Sequence, residues 1–192
     1  MDTKIRLLES AKSLFSEKGY YETKVSDIVS KAGVSQGTFY LYFKSKEDIF
    51  KELVQRMSDK IIKLLEEYAK RENDVEKVIK ESVIELFKII YEERAIAYIF
   101  LFQLVGTNEE FRELYFEKVK KVRELLRVIV DKGIQKGVFS YRNAENIVNI
   151  LMGYVRMMYL EYLLRDDVPM ERLMELVSEG IDVILAGVKG CE

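Results

Sequence analysis

Residues 33–48, GVSQGTFYLYFKSKED, place hydroxyl, amide and ammonium groups close together along the chain. A short helix can enter the major groove of DNA when the side chains near its N-terminus are small or polar. Gln36 and Thr38 are candidates to contact base edges, and Gly37 has no side chain to hold the backbone away from a duplex. The stretch is therefore a candidate nucleic-acid contact.

Other groups in and near this stretch suit contact with phosphate. A hydroxyl group and the free N–H groups of a first helical turn can approach a phosphate oxygen, and lysine adds positive charge. The phosphate candidates are Lys24, Ser35, Tyr40, Tyr42, Lys44 and Lys46. The alternative is that the two tyrosines only pack between helices and that the lysines are only solvated.

The helices that must position these groups are predicted from spacing and capping residues. Ser35 is expected to cap a helix from Gln36 to about Phe43, in which Phe39 and Phe43 share one face and point inward. A shorter helix, capped by Thr23, precedes it and ends at Gly33. Two short helices joined by a tight turn that contains glycine are typical of a helix-turn-helix.

The whole chain is predicted to be all-α, with nine helices and no strands. Asp2 or Thr3 caps the first helix and Gly19 supplies its left-handed stop. The later helices are expected over residues 45–68, 74–92, 95–105, 107–136, 143–164 and 169–186, with Thr107 as a cap and Gly137 as a stop. We expect two domains, a DNA-binding domain over residues 1–46 and a second domain over residues 47–192.

Composition excludes several kinds of catalytic site. The 192 residues include no histidine, which removes the usual general base, the usual zinc ligand and the Ser-His or Cys-His nucleophile pairs. No Gly-rich phosphate loop or dinucleotide motif is present, so no metal or cofactor is expected. An enzyme built on a helical bundle is the disfavoured alternative.

The formal net charge is −2, but residues 1–56 carry ten Lys or Arg against eight Asp or Glu, so the N-terminal part of the chain is the basic one.

Sequence features also bear on the compartment. No N-terminal segment is typical of a signal peptide, and the longest apolar run, residues 95–106, is too short to span a bilayer. The single cysteine, Cys191, can form no intrachain disulfide and favours a reducing compartment. We therefore predict a cytoplasmic protein with no membrane partner.

The run from Leu7 to Phe50, LLESAKSLFSEKGYYETKVSDIVSKAGVSQGTFYLYFKSKEDIF, resembles the DNA-binding domain of the TetR family of transcriptional regulators. Its hallmarks are an Ala-Gly-Val-Ser turn, a glycine, a Tyr-x-Tyr-Phe segment and a following Lys-Glu. The resemblance implies a nine-helix TetR-like homodimer, with three helices on double-stranded DNA and six in a ligand-binding and dimerisation domain. It places DNA contacts on Lys24, Ser26, Ser35, Gln36, Gly37, Thr38, Tyr40, Tyr42, Lys44 and Lys46. Leu41 stands where some members have a polar residue, which implies fewer base contacts.

The last two helices carry more apolar surface than one core-facing stripe needs. A small, mildly charged DNA-binding domain binds a palindromic operator specifically only as one of a pair. We therefore expect these helices to form a four-helix interface with a second copy of the chain. The predicted interface residues are Ile147, Ile150, Leu151, Tyr154, Met158, Tyr162, Leu173, Leu176, Val177, Ile181, Ile184 and Leu185. The alternative is that all of them belong to the core of one protomer.

Aromatic and flexible apolar residues in the middle helices indicate a ligand pocket with few polar anchors. The predicted lining is Phe87, Tyr91, Tyr98, Phe102, Gln103, Phe116, Met152 and Arg156. The expected effector is lipophilic, either a fatty acyl compound or an aromatic drug-like molecule, and its binding releases a repressor from DNA. Two alternatives stay open: these residues are ordinary core, or the protein is a constitutive DNA-binding dimer with no effector.

Overall fold

The computed structural model of the chain describes residues 2–72, 74–162 and 168–189. Over these residues the chain forms nine α-helices and no strand, which confirms the predicted all-α architecture. The helices are α1 Thr3–Glu22, α2 Val25–Ala32, α3 Gln36–Tyr42, α4 Lys46–Ala69, α5 Val75–Glu92, α6 Arg94–Tyr98, α7 Glu109–Gln135, α8 Ala144–Tyr162 and α9 Met170–Lys189. The predicted helix end at Leu164, like Cys191, lies outside the described residues.

The chain divides into two compact units by packing. The first unit comprises Met1–Ser58 and Glu93–Leu114, and the second comprises Asp59–Glu92 and Tyr115–Glu192. The boundary predicted after residue 46 divides the DNA-binding domain from the second domain, whereas these two units are defined by packing alone. The predicted boundary therefore stays a prediction.

Aromatic rings form the core of the first unit. The ring of Phe50 meets Phe15 at 5.3 Å, Tyr20 at 5.1 Å and Phe111 at 5.7 Å between centroids, with the edge of one ring against the face of another. All three phenylalanines are fully buried. Since edge-to-face pairs add stabilisation to the burial of apolar area, this cluster anchors α1 against α4 and the start of α7.

The second unit is built on α5, α8 and α9. Helix α9 packs against both α5 and α8, and its buried stripe of Leu173, Val177, Ile181 and Leu185 recurs every four residues along one face. The ring of Phe87 on α5 stacks on that of Tyr159 on α8, with centroids 5.0 Å apart and planes at 14°.

Two boundary predictions near the N-terminus were wrong. Gly19 has a positive φ of 82°, but it makes a kink, and α1 continues to Glu22. Thr23 does not cap α2. It is fully buried, and its hydroxyl donates to the Gly19 carbonyl oxygen at 2.7 Å, which gives that carbonyl a hydrogen-bond partner at the kink. Lys24 is the residue that precedes α2.

A similar correction applies before α7. The Thr107 hydroxyl donates to the Gln103 carbonyl oxygen at 2.6 Å and so closes the preceding helical segment. Asn108 caps α7, because its side-chain oxygen accepts from the Phe111 N–H at 3.2 Å. The segment predicted as one helix over residues 95–105 is the short α6 followed by a π-helical turn, Ile99–Leu104. The stop at Gly137 is confirmed by its φ of 71°.

Candidate nucleic-acid interface

The turn between α2 and α3 has the conformation that its sequence predicts. Gly33 adopts the left-handed region with φ 64° and ψ 41°, and its N–H donates to the Ser30 carbonyl oxygen at 3.2 Å. Ser35 then caps α3, because its hydroxyl oxygen accepts from the Thr38 N–H at 3.1 Å. The turn therefore fixes the direction in which α3 leaves α2.

Arg6 on α1 stabilises this turn by hydrogen bonds. Its guanidinium donates to the carbonyl oxygens of Ala32 and Gly33, at 3.2 Å in the second case. These carbonyls end α2, where a positive charge also interacts favourably with the helix dipole. Arg6 is not predicted for the site from the sequence, because its partners lie 26 and 27 residues away and no local spacing connects them.

Phe39 lies on the inner face of α3, and Phe43, the extended residue that ends the helix, is buried beside it, so both rings point inward as predicted. Phe39 is fully buried and Phe43 is almost so, and their ring centroids lie 5.7 Å apart. The Lys4 ammonium lies 5.7 Å from the centroid of the Phe43 ring. Burial of this pair orients the whole helix, because α3 has only seven residues.

The outer face of α3 presents the residues expected to contact DNA. Tyr40 is 53% exposed and Tyr42 is 42% exposed, and Leu41 between them is 82% exposed. The exposed members of the predicted set are Lys24, Ser26, Ser35, Gln36, Gly37, Tyr40, Tyr42 and Lys44, and Thr38 is partly exposed. The Ser35 and Thr38 hydroxyl oxygens lie 2.8 Å apart, so they form a polar pair at the start of the helix.

Lys46 differs from the other predicted phosphate contacts. Its ammonium donates to the Tyr20 carbonyl oxygen at 2.8 Å and lies 4.4 Å from the centroid of the Tyr20 ring. Burial lowers the pKa of this ammonium, although the neighbouring Glu47 and Glu22 oppose the shift. Lys46 thus joins α4 to the end of α1, and its role on phosphate stays a prediction that would require these contacts to open.

The residues predicted to line a pocket fall in both units. Tyr98, Phe102 and Gln103 belong to the first unit, where the rings of Tyr98 and Phe102 are 5.4 Å apart. Among the residues that the structure describes, none forms a hydrogen bond with the buried side-chain oxygen of Gln103. The assignment of these three residues to a pocket stays a prediction.

Five predicted pocket residues, Phe87, Tyr91, Phe116, Met152 and Arg156, belong to the second unit. Phe87 is fully buried, whereas Phe116 is 62% exposed. Arg156 is also exposed, and its guanidinium lies 3.4 Å from the Tyr115 hydroxyl. Phe116 and Arg156 therefore lie on the surface of this unit. Their place in a pocket stays a prediction.

The predicted interface set mixes core and surface residues. Seven of its members are buried within the single protomer: Ile147, Leu151, Met158, Leu173, Val177, Ile181 and Leu185. They can lose little further surface to a partner, so the structure assigns these seven to the core of the second unit. Ile150 is exposed, and Tyr154, Tyr162, Leu176 and Ile184 are half-buried.

The exposed apolar surface on α8 and α9 includes residues that were not predicted for the interface. Met157 and Leu160 on α8 and Val183 on α9 are exposed. Ile150, Met157 and Leu160 share one face of α8 at helical spacing. A search for apolar positions finds these residues, but periodicity alone does not separate the exposed face from the buried one.

Gly180 permits close packing of α9 against α8 within one protomer. A Cβ atom added there would overlap the ring and hydroxyl of Tyr154. That hydroxyl donates to the Leu176 carbonyl oxygen at 2.9 Å, which fixes the ring. A small residue is therefore needed at Gly180 by packing inside the second unit, whereas Gly153 faces open space.

Family models identify the class of protein. The model described as bacterial regulatory proteins of the tetR family matches residues 7–53, which contain the helix-turn-helix. The model described as the tetracyclin repressor-like C-terminal domain matches residues 77–184, more than half of the chain. The chain belongs to the TetR family of transcriptional regulators, as its sequence indicated.

Individual relatives agree with this assignment. The chain is 30% identical over 133 residues to the fatty acid metabolism regulator protein of Bacillus subtilis, and the match covers 69% of each protein. A transcriptional regulator of Aquifex aeolicus has the same fold, with a TM-score of 0.79, 35% identity and 95% and 99% of the two chains covered. The fatty acid degradation regulator FadR of Bacillus halodurans gives a TM-score of 0.84 at 25% identity, with 100% and 98% covered.

Proteins of this family bind DNA operators, act as dimers and respond to small-molecule effectors. The chain is accordingly a DNA-binding transcriptional regulator and not an enzyme. Within the described ranges, no helix is long and apolar enough to cross a membrane.

Proposed function

We propose that the protein is a homodimeric repressor of a palindromic operator and that a long-chain acyl compound releases it. The orientation of α3, with Phe39 and Phe43 buried and polar groups outward, supports the DNA-binding role. The effector class is supported by the match to the fatty acid metabolism regulator of Bacillus subtilis. A regulator FadR from Bacillus subtilis, 24% identical with a TM-score of 0.78, has been crystallised with stearoyl-CoA.

The proposed contacts with DNA divide into two groups. Gln36 and Thr38, near the start of α3, contact base edges, where amide and hydroxyl groups distinguish base pairs. The remaining contacts go to the phosphate backbone and fix the position of α3 in the groove. They are made by Lys24, Ser26, Ser35, Tyr40, Tyr42 and Lys44, with Gly37 allowing close approach.

The proposed dimer interface uses the exposed apolar face of α8 and α9. Its centre is formed by Ile150, Met157 and Val183, which are all more than two-fifths exposed in the single protomer. The half-buried Leu176 and Ile184 flank them. Pairing this face with its copy would bury apolar area and make a four-helix interface, the arrangement that symmetric association favours.

The proposed release depends on spacing. The two α3 helices of a dimer must lie about 34 Å apart to enter successive major grooves. An effector that binds more tightly to a dimer with a different spacing shifts the population away from the DNA-binding form. Its effect is limited by the difference between its affinities for the two forms. Because the target is the chromosome, the proposed compartment is the cytoplasm.

One titration tests the proposed function. Genomic fragments retained by the protein supply the operator, and fluorescence anisotropy of a labelled operator duplex then reports DNA binding. Stearoyl-CoA is expected to release the duplex, whereas coenzyme A alone is not. Release by an aromatic dye and not by stearoyl-CoA would replace the acyl effector with an aromatic one. Binding unchanged by all of these ligands would support a constitutive DNA-binding dimer instead.

A further inference from the structure

Tyr159 on α8 has a hydroxyl group enclosed in the second unit without a protein partner. The side chain is 8% exposed and its ring stacks on the fully buried Phe87. Over residues 2–72, 74–162 and 168–189, no protein group forms a hydrogen bond with the hydroxyl oxygen. Leaving a buried polar group unpaired is unfavourable, and a phenylalanine would fill the same space without that penalty.

A second tyrosine on the same helix shows how such a hydroxyl is normally accommodated. Tyr154 is half-buried, and its hydroxyl donates to the Leu176 carbonyl oxygen at 2.9 Å. Tyr159 is more deeply buried and has no such acceptor. The contrast points to an acceptor that comes from outside the chain.

The chemistry of the missing partner follows from the surroundings of Tyr159. Burial raises the pKa of the Tyr159 phenol well above its usual range, so the hydroxyl stays protonated and can donate. The stacked Phe87 ring makes the neighbourhood apolar. A suitable partner therefore has an apolar body and a hydrogen-bond acceptor, the combination found at the carbonyl end of an acyl chain.

We infer that Tyr159 is a specificity-determining residue that donates a hydrogen bond to the acyl oxygen of the effector. This inference rests on the proposed function, since it assigns an anchor to the acyl ligand proposed there. The sequence analysis assigned Tyr159 to no site, although Tyr159 lies seven residues, or two helical turns, after the predicted pocket residue Met152. Because the hydroxyl is enclosed, a ligand that reaches it must disturb the packing around the stacked Phe87 and Tyr159 rings, which join α5 to α8.

Binding would thereby be coupled to the packing of these two helices. That coupling supplies a difference in affinity between two forms of the second unit, which release from DNA requires. The anchor thus serves both recognition of the ligand and the response to it.

Replacement of Tyr159 by phenylalanine tests the inference. Binding of stearoyl-CoA, stearate and coenzyme A is measured by titration calorimetry, together with operator affinity and thermal melting. Tyr159→Phe is expected to weaken both acyl ligands about three- to tenfold, the range for one hydrogen bond, and to leave operator affinity without ligand unchanged. Its melting temperature is expected to stay the same or rise. If only the binding of stearoyl-CoA is weakened, the recognised acyl oxygen is that of the thioester. If only the binding of stearate is weakened, it is that of the free carboxylate.

Tyr141→Phe is the matched control for ligand binding. The Tyr141 hydroxyl accepts from the Asn146 side chain at 2.9 Å on the exposed surface, so its loss is expected to leave acyl affinity unchanged. Equal acyl affinity for Tyr159→Phe and the unmodified protein would overturn the inference, as would a clear fall in the melting temperature, which would reveal an internal partner for the hydroxyl. Failure of the unmodified protein to bind either acyl ligand would instead overturn the proposed function.

Discussion

Helices α3 and α8 both carry closely spaced aromatic residues, but they use them differently. In α3 the phenylalanines are buried and the tyrosines are exposed, whereas in α8 Tyr154 and Tyr159 lie inside the second unit to different depths. Helix α3 has seven residues and its C-cap is Phe43, so Phe39 and Phe43 can both be buried in only one orientation of the helix. Helix α8 has apolar residues around most of its circumference, so periodicity fixes the orientation of α3 but not that of α8.

The comparison predicts its largest effect at the buried pair of α3. Phe39→Ala is expected to lower the free energy of unfolding by about 3–5 kcal/mol, because the ring is fully buried and its removal leaves a cavity. Leu41→Ala, at an 82% exposed position of the same helix, is expected to change it by less than about 0.5 kcal/mol. Urea unfolding followed by circular dichroism measures both. Similar losses for the two variants would mean that α3 is oriented differently.

Adjacent positions on α8 sharpen the comparison. Leu151→Ala is expected to lower the free energy of unfolding by about 2–5 kcal/mol, since Leu151 is buried within the protomer. Ile150→Ala is expected to leave the free energy of unfolding of the protomer unchanged. It is expected to weaken dimer affinity by about 1–2 kcal/mol, roughly tenfold, because Ile150 is exposed on the proposed interface. Sedimentation at a series of concentrations separates the two effects. A dimer weakened by neither variant would remove this face from the interface.

A smaller effect is expected where α9 approaches α8. Gly180→Ala is expected to lower the free energy of unfolding by about 1–3 kcal/mol, because the new methyl group overlaps the Tyr154 ring, which the Leu176 carbonyl holds in place. Gly187→Ala, with no atom within 4 Å of the added Cβ, is expected to leave stability unchanged or slightly raised. Urea unfolding of both variants checks this. Tolerance of alanine at residue 180 would show that Tyr154 can move aside.

The features that sequence predicts well are those set by neighbours along the chain. The Gly33 turn, the Ser35 cap and the buried Phe39 and Phe43 pair all depend on residues within one or two helical turns, so spacing and residue type determine them. The general all-α fold follows from the same local periodicity.

The features that could not be predicted from the sequence depend on residues far apart along the chain. Arg6 reaches carbonyl groups 26 and 27 residues away, and Lys46 bonds to Tyr20, also 26 residues away. Thr23 does not cap α2 because its buried hydroxyl donates to the Gly19 carbonyl oxygen at the kink. On α8 and α9, the core residues and most of the predicted interface and pocket residues are apolar, so only the burial of each side chain separates them.

The central claim, that the outer face of α3 reads base sequence, is tested most directly by comparing Gln36→Ala with Lys44→Gln. Affinity is measured for the operator and for a set of single-base-pair variants at several salt concentrations. Gln36→Ala is expected to lose about 1–3 kcal/mol of discrimination at one base pair, while Lys44→Gln weakens all duplexes alike and reduces the salt slope by about 1. Equal losses on every duplex for both variants would contradict the account.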